Sequence, residues 1–307
     1  MSPTYKATGI NLKSMPLGES DRLLTILTQE FGLIRVVAPG CRKPHSKLGG
    51  RSALFVVNDL LLSKGRTLDK IIQAETLESY PGLSQDLLKL TASQYLAELV
   101  LLQALSDQSQ AALFALLNEH LKRLEYPGDS PLIATPRSQI LAHLSHAIFQ
   151  LLVLDGIAPQ VHTCCVTQKT LLPPHKVSEQ RVGFSPALGG TMIVSELTAI
   201  ATASSRSWEL NGSVVRERSG AFYPKPSSSH LWVESSLTAL ELLLLQQLAE
   251  ARLPQSLTIP QELQPMIVPN RLEHAWFRVE NLLRQYLQFY FERPIRSATL
   301  IDTCFKP

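Results

Sequence analysis

The densest single chemistry in this sequence is cationic. Between residues 35 and 70 lie Arg35, Arg42, Lys43, Lys47, Arg51, Lys64, Arg66 and Lys70, opposed only by Asp59 and Asp69. The whole chain of 307 residues carries a formal net charge of just +3, so positive charge is concentrated here. A polyanion is the partner that such a concentration suits. Arg42, Lys43, Lys47 and Arg51 sit among glycine and proline in Cys41–Arg51, which reads as a connection between elements. Long cationic side chains on a connection reach phosphates, and Gly49–Gly50 lets a backbone approach closely. Each phosphate neutralised releases counterions, so binding of this kind weakens steeply with salt. Tyr5, Phe31 and Phe55 are rings that either stack on bases or fill a core, and core is the commoner fate. The plain alternative for the whole strip is a solvated basic loop.

Other reactive side chains form no convincing constellation. His143 and His146, three apart on a helical pattern, lack a third ligand for a metal, and packing or surface is their ordinary role. Glu19 and Asp21 read as surface charge. Cys41 beside Arg42 and Lys43 has only a remote redox reading. No Gly-x-x-x-x-Gly-Lys-Ser/Thr, Gly-x-Ser-x-Gly or His-Glu-x-x-His occurs, which disfavours an ATP-driven helicase or a common hydrolase. The expectation is a binding protein, not an enzyme.

The elements that must position the basic strip read as an α+β chain. Tyr5–Leu12, Asp21–Thr28, Leu33–Ala38, Ala53–Leu62 and Leu68–Leu77 carry β-formers punctuated by Gly and Pro, and five short strands suit a small barrel. Asp21–Thr28 is ambiguous, because Ser20 can equally cap a helix; the neighbouring strand signals favour a strand. From Gln85 the apolar spacing turns helical, with helices expected over 85–105, 110–124, 137–154, 235–251 and 270–291. Leu242–Leu245 is helix core, far short of the ~18 residues of a membrane span. Residues 157–195 read as irregular. Four cysteines and no leader-like start fit a reducing cytoplasm.

The order of motifs carries a further signal. Gly18-Glu-Ser-Asp-Arg-Leu-Leu-Thr-Ile-Leu-Thr-Gln-Glu-Phe-Gly, Ala38-Pro-Gly-Cys-Arg-Lys and Ser46-Lys-Leu-Gly-Gly resemble the N-terminal domain of the bacterial recombination mediators of the RecO family. Tyr95-Leu-Ala-Glu-Leu, Val182-Gly-Phe-Ser-Pro-Ala-Leu-Gly-Gly, Leu282-Leu-Arg-Gln-Tyr-Leu and Ile295-Arg-Ser-Ala-Thr-Leu extend the resemblance over most of the chain. It implies an OB-fold β-barrel (1–80), then a mainly helical domain (81–307) holding a zinc-finger-like insert at about 157–195. It also implies binding of single- and double-stranded DNA and annealing of complementary strands. The partners implied are RecR and the acidic tail of single-strand-binding protein, in loading RecA onto coated strands. Lys122, Arg123 and Arg137 are the candidates for that tail, with ordinary helix-surface charge as the alternative.

The insert departs from the family pattern. The two Cys-x-x-Cys pairs of many members would fall on Cys165 and Gln168, then near Ile193 and Glu196, leaving three ligands missing. His162, Cys164, Cys165 and His175 form a poor substitute, because adjacent cysteines seldom share one tetrahedral ion. No zinc or other cofactor is expected, and hydrogen bonds and packing, with Phe184 as a plug, are left to hold the insert. The DNA-binding set is Arg35, Arg42, Lys43, Lys47, Arg51, Lys64 and Arg66. The competing reading is a barrel that holds a protein and touches no nucleic acid.

Overall fold

The computed structural model describes residues 3–127, 135–172, 181–195, 235–253 and 260–305. Strands β1 (Thr4–Leu17), β2 (Asp21–Thr28), β3 (Gly32–Ala38), β4 (Val57–Ser63) and β5 (Asp69–Glu78) close a barrel in the order β1-β2-β3-β5-β4. Its interior is Ala7, Leu24, Ile26, Val36, Ala38, Leu60, Leu62, Ile71 and Ala74. On β2, β3 and β4 these alternate with outward residues, as period-two geometry requires, while a register shift opposite Leu61–Leu62 sets Ile71 and Ala74 of β5 three apart. Each fully buried leucine or isoleucine here contributes roughly 1.5–3 kcal/mol. The ambiguous Asp21–Thr28 segment is a strand, paired on both edges.

The connection between β3 and β4 is not wholly irregular. It contains a single helical turn, α1 (Leu48–Arg51), whose Leu48 packs on the barrel core with Cys41. The Nδ2 groups of Asn11 and Asn58 both donate to the Arg51 carbonyl, at 2.7 and 2.9 Å, and pin this turn to the barrel.

Beyond β5 the chain is mostly helical: α2 (Gly82–Gln85), α3 (Leu87–Gln103), α4 (Ala111–Glu125) and α5 (Pro136–Leu154). After the insert come α6 (Ala239–Gln247), α7 (Pro269–Phe291) and α8 (Ala298–Phe305). Asp86 caps α3 by accepting from Leu88 N and Lys89 N, and Thr135 and Thr238 close capping boxes on α5 and α6. Such caps are each worth about 1 kcal/mol. Outward residues of the barrel, Ile10, Leu12, Leu27 and Val57, together with Phe55, belong to the helical core. Gly32, at φ +65°, lies where a Cβ would overlap the Leu105 carbonyl. That close approach lets Leu33 N donate to Leu105 O at 2.9 Å and Gln110 N to Gln29 O at 3.0 Å. Barrel and helices therefore share one continuous core and a hydrogen-bonded seam.

Three expectations change. The helix expected over 235–251 begins only at Ala239, because Ser235–Ser236 pairs with Gly183–Phe184 and Thr238 caps the helix behind it. The segment read as irregular holds a small sheet, β6 (Val182–Ser185) and β7 (Gly190–Ile193), joined by β8 (Ser235–Ser236). Helix α8 follows Pro294, where no further helix was expected. His175 and Glu196 lie outside the described residues. Among the described residues no helix is long and apolar enough to cross a membrane.

Candidate nucleic-acid interface

The barrel register gathers part of the cationic set. Thr25 lies between the inward residues Leu24 and Ile26, so it points outward, and it pairs with Lys13 on one side and Arg35 on the other. Lys13 and Arg35 therefore stand on one rung of the outer surface, about 10 Å apart across two strand spacings. Val37, two residues beyond Arg35 on the same face, pairs in parallel with Lys70. All three cations are exposed.

The following loop is tied against this face. Asp21 Oδ1 accepts from Gly40 N at 2.7 Å, Arg42 N donates to Ser20 O at 2.9 Å, and Arg42 Nη1 donates to Gly18 O at 3.0 Å. These bonds hold Arg42 and Lys43 beside the β1–β2 turn. The Gly40 amide, then the Ser20 hydroxyl, holds the Asp21 carboxyl below its ordinary range, with smaller help from Lys43 and Lys70.

Lys64 and Arg66 occupy the β4–β5 hairpin, with the Lys64 ammonium 5.8 Å from the Tyr5 ring centroid. Lys47 and Arg51 belong to the α1 region, where Arg51 is half-buried and Lys47 exposed. Among the described residues neither makes a hydrogen bond that joins it to the Arg35 rung. Among the described residues, none of these cations has a carboxylate oxygen within 4.0 Å. The carboxylates lie on other strands: Asp59 pairs directly with Glu75 across β4–β5, both exposed, and Glu78 ends β5. Like charges opposed on one rung raise the local negative potential. The barrel surface is thus polarised, cationic over β1–β2–β3 and the start of β5, anionic along β4–β5.

The three rings are mainly structural. Phe55 is 2% exposed and packs in the helical core. Tyr5 is half-buried, donates to Asp69 and meets Phe31 edge-on at 5.1 Å between centroids. Burial, then the Asp69 carboxylate, raises the Tyr5 phenol above its usual range. Phe31 remains 36% exposed at the β2–β3 turn.

Two of the three helical-domain cations proposed for an acidic tail have internal partners. Arg137 donates to Glu273 at 3.2 Å and to the Cys304 carbonyl at 2.7 Å. Arg123 pairs with Glu119 at 3.0 Å and lies 3.3 Å from His146 Nδ1. Lys122 is exposed. His143 and His146 are buried together with His120, whose ring lies 5.4 Å from that of His146. Burial pushes His143 and His146 down to about 4, so this cluster packs as neutral rings.

The zinc that the family resemblance implies does not fit the insert. Cys164 is fully buried and its Sγ accepts from Thr167 N at 3.5 Å and Ile193 N at 3.4 Å, while Gln168 and Ile193 stand where further thiolates would be needed. His162 is exposed, and among the described residues no group of three His, Cys, Asp or Glu side chains is placed to hold a metal. Phe184, fully buried and 5.9 Å from the Tyr286 ring, packs the insert against α7.

Sequence reasoning missed Lys13, which lies outside the basic stretch, and counted Lys70 without assigning it a role. Continuing the β1–β2 hairpin back from its turn would have found Lys13 opposite Thr25. The parallel pairing that brings in Lys70 leaves no local mark in sequence.

Comparison with known proteins bears on the whole chain. A family model described as recombination protein O N terminal matches residues 1–80, and its C-terminal counterpart matches residues 84–214. The DNA repair protein RecO of Acaryochloris marina is 52% identical over 307 residues, covering 100% of this chain and 97% of that one. The RecO proteins of Nostoc sp. and Gloeobacter violaceus are 48% and 42% identical, each over 99% of this chain and over 97% and 95% of their own lengths. A polarised five-stranded barrel on a helical body, matched from end to end at this identity, belongs to the RecO family of DNA repair proteins.

Proposed function

We propose that this chain is a DNA-binding recombination mediator that works by binding and not by bond chemistry. The barrel, in its 1-2-3-5-4 order, is read as an OB-type fold presenting its β1–β2–β3 surface to nucleic acid. The observation that carries this reading is the rung of Lys13 and Arg35, with Lys70 beside it, exposed and, among the described residues, without carboxylate partners. Cations placed so neutralise phosphates on two strands at once and lower the repulsion that keeps complementary strands apart. Arg42 and Lys43 extend the surface, and Lys47, Arg51, Lys64 and Arg66 are supporting contacts at its margins.

Family membership supports the wider assignment: annealing of complementary strands in the cytoplasm and, with RecR, loading of RecA onto strands coated by single-strand-binding protein. The acidic tail of that protein is assigned to the helical domain, with Lys122 the candidate least engaged internally.

Binding to a mixed-sequence oligonucleotide across a salt series tests the reading. Changing Arg35, Arg42 and Lys43 together to Glu is expected to weaken binding at every salt concentration. The slope of log K against log salt should flatten by about 2, at roughly 0.7 per lost single-strand contact. A folded triple mutant with unchanged affinity refutes the assignment. A protein-holding scaffold, the competing reading, shows no salt-dependent DNA binding at all.

A further inference from the structure

We infer that the cationic barrel face grips the sugar-phosphate chain alone and leaves the bases of a bound strand free to pair. This rests on the DNA-binding reading above and names what part of the nucleic acid that surface takes.

The outward positions supply the reason. One rung is Lys13–Thr25–Arg35 and the next is Met15–Leu23–Val37, so a cationic row lies beside an aliphatic row. Neither row holds an aromatic side chain, and Lys70 beside Val37 adds a third cation. Charged and aliphatic groups suit phosphate and deoxyribose. Stacking needs an open ring face, and single-strand binders that use it commit aromatic side chains to successive bases.

The barrel's own rings do not meet that need. Tyr5 has its ring edge-on to Phe31 and the Lys64 ammonium 5.8 Å from its centroid. Phe55 is 2% exposed. Phe31, the most open, lies beyond Thr28 at the far end of β2 from the β1–β2 turn. Thr25 to Thr28 alone spans about 10 Å of strand, which carries Phe31 away from the Lys13–Arg35 rung. His45 is an exposed ring on the loop after Arg42 and Lys43, a single ring rather than a stacking series.

The consequence bears on annealing. A protein that stacks bases on its own rings must release them before a complementary strand can pair. A face that holds only the backbone keeps base edges outward while it screens the phosphates. Single and double strands are then held by the same groups.

The test uses the full chain and two fluorescent strands of equal length, one of mixed sequence and one with every second base removed to leave deoxyribose phosphate. Stacking is worth roughly fivefold or more per base, so several lost bases would be plain in the affinity. The expected result is affinities within about threefold of each other and the same salt slope. Changing Lys13 and Lys70 together to Glu should weaken both strands alike, and Phe31→Ala should weaken neither. A larger loss for the base-depleted strand, or weaker mixed-strand binding by Phe31→Ala, overturns the inference while leaving the DNA-binding reading intact. Equal binding of both strands by the folded Lys13, Lys70 variant at parental affinity overturns the choice of face. Absence of salt-dependent binding to either strand by the unmodified protein overturns the parent reading itself.

Discussion

Arg284 of α7 offers the sharpest quantitative test of how the helical body is held. Its Nη2 donates to Glu280 Oε2 at 2.7 Å and to Asp302 Oδ1 at 2.8 Å. Its Nη1 donates to Asp302 Oδ2 at 2.9 Å and to the Ala298 carbonyl at 3.3 Å, stapling α8 to α7. Glu280 is 0% exposed whereas the Asp302 side chain is 48% exposed, so the Glu280 contact dominates and the Asp302 contact is heavily screened. Removing one partner of a buried pair ordinarily costs about 3–5 kcal/mol.

Glu280 has an escape, because burial, opposed by Arg284, already pushes its carboxyl up to about 7. Completing its protonation at neutral pH costs less than about 1 kcal/mol, so Arg284→Met should lose about 3 kcal/mol at pH 7. A raised folded-state pKa gives stability that is present below the unfolded value and is lost as pH rises through the folded value. Without Arg284 the folded pKa climbs further, and the loss should therefore be smaller at pH 6 than at pH 8. The loss at pH 8 should exceed that at pH 6 by about 1.4 kcal/mol in all. Urea unfolding of the parent and Arg284→Met at pH 6 and 8 measures this. The double change Glu280→Met with Arg284→Met should recover most of the loss. An equal loss at both pH values, or a double variant as damaged as the single, refutes the reasoning.

Two further outcomes follow from the same structure. Burial depresses His143 and His146 to about 4 from an unfolded value near 6.5, so stability is full above that value and falls as pH drops from 6.5 toward 4. Each ring costs about 2 kcal/mol by pH 5, and His143→Leu should flatten the decline in the urea midpoint; an unchanged decline would show that the cluster is not its source. Asp21 holds the loop through Gly40, so Asp21→Ala should weaken DNA binding even though it removes a negative charge beside cations. Asp21→Asn keeps an acceptor oxygen and should bind at least as well as the parent, and stronger binding by Asp21→Ala would mean that charge, not loop position, controls this edge.

What could be read from sequence follows how far apart the interacting residues lie. The β2 segment was legible despite Ser20, because the strand signals that flank it on both sides are local patterns. Helices α4, α5 and α7 fall within a residue or two of their expected spans for the same reason. Helix α8 was not legible. Its start is fixed by the Glu98 carboxylate of α3, which accepts from Arg296 N at 2.9 Å and Ser297 N at 2.7 Å, a cap supplied from 198 and 199 residues away. Pro294 read locally as a stop and nothing nearby announced the restart.

The cations divide in the same way. Their concentration was visible, but membership of one face depends on strand register, which admits Lys13 and Lys70 and leaves Lys47 and Arg51 on the α1 turn. Arg137 looked like free surface charge because its partner, Glu273, lies 136 residues away in sequence. A charge count therefore indicates that a polyanion is a fitting partner, while only closure of the barrel decides which charges act together. Substitutions that alter register without altering charge, such as one that shifts the β1–β2 pairing beyond its Asn11–Lys13 irregularity, should separate those two contributions. Such a variant keeps every cation yet turns Lys13 off the Arg35 rung. If its DNA affinity and salt slope matched those of the parent, composition alone would account for binding and the shared face would be incidental.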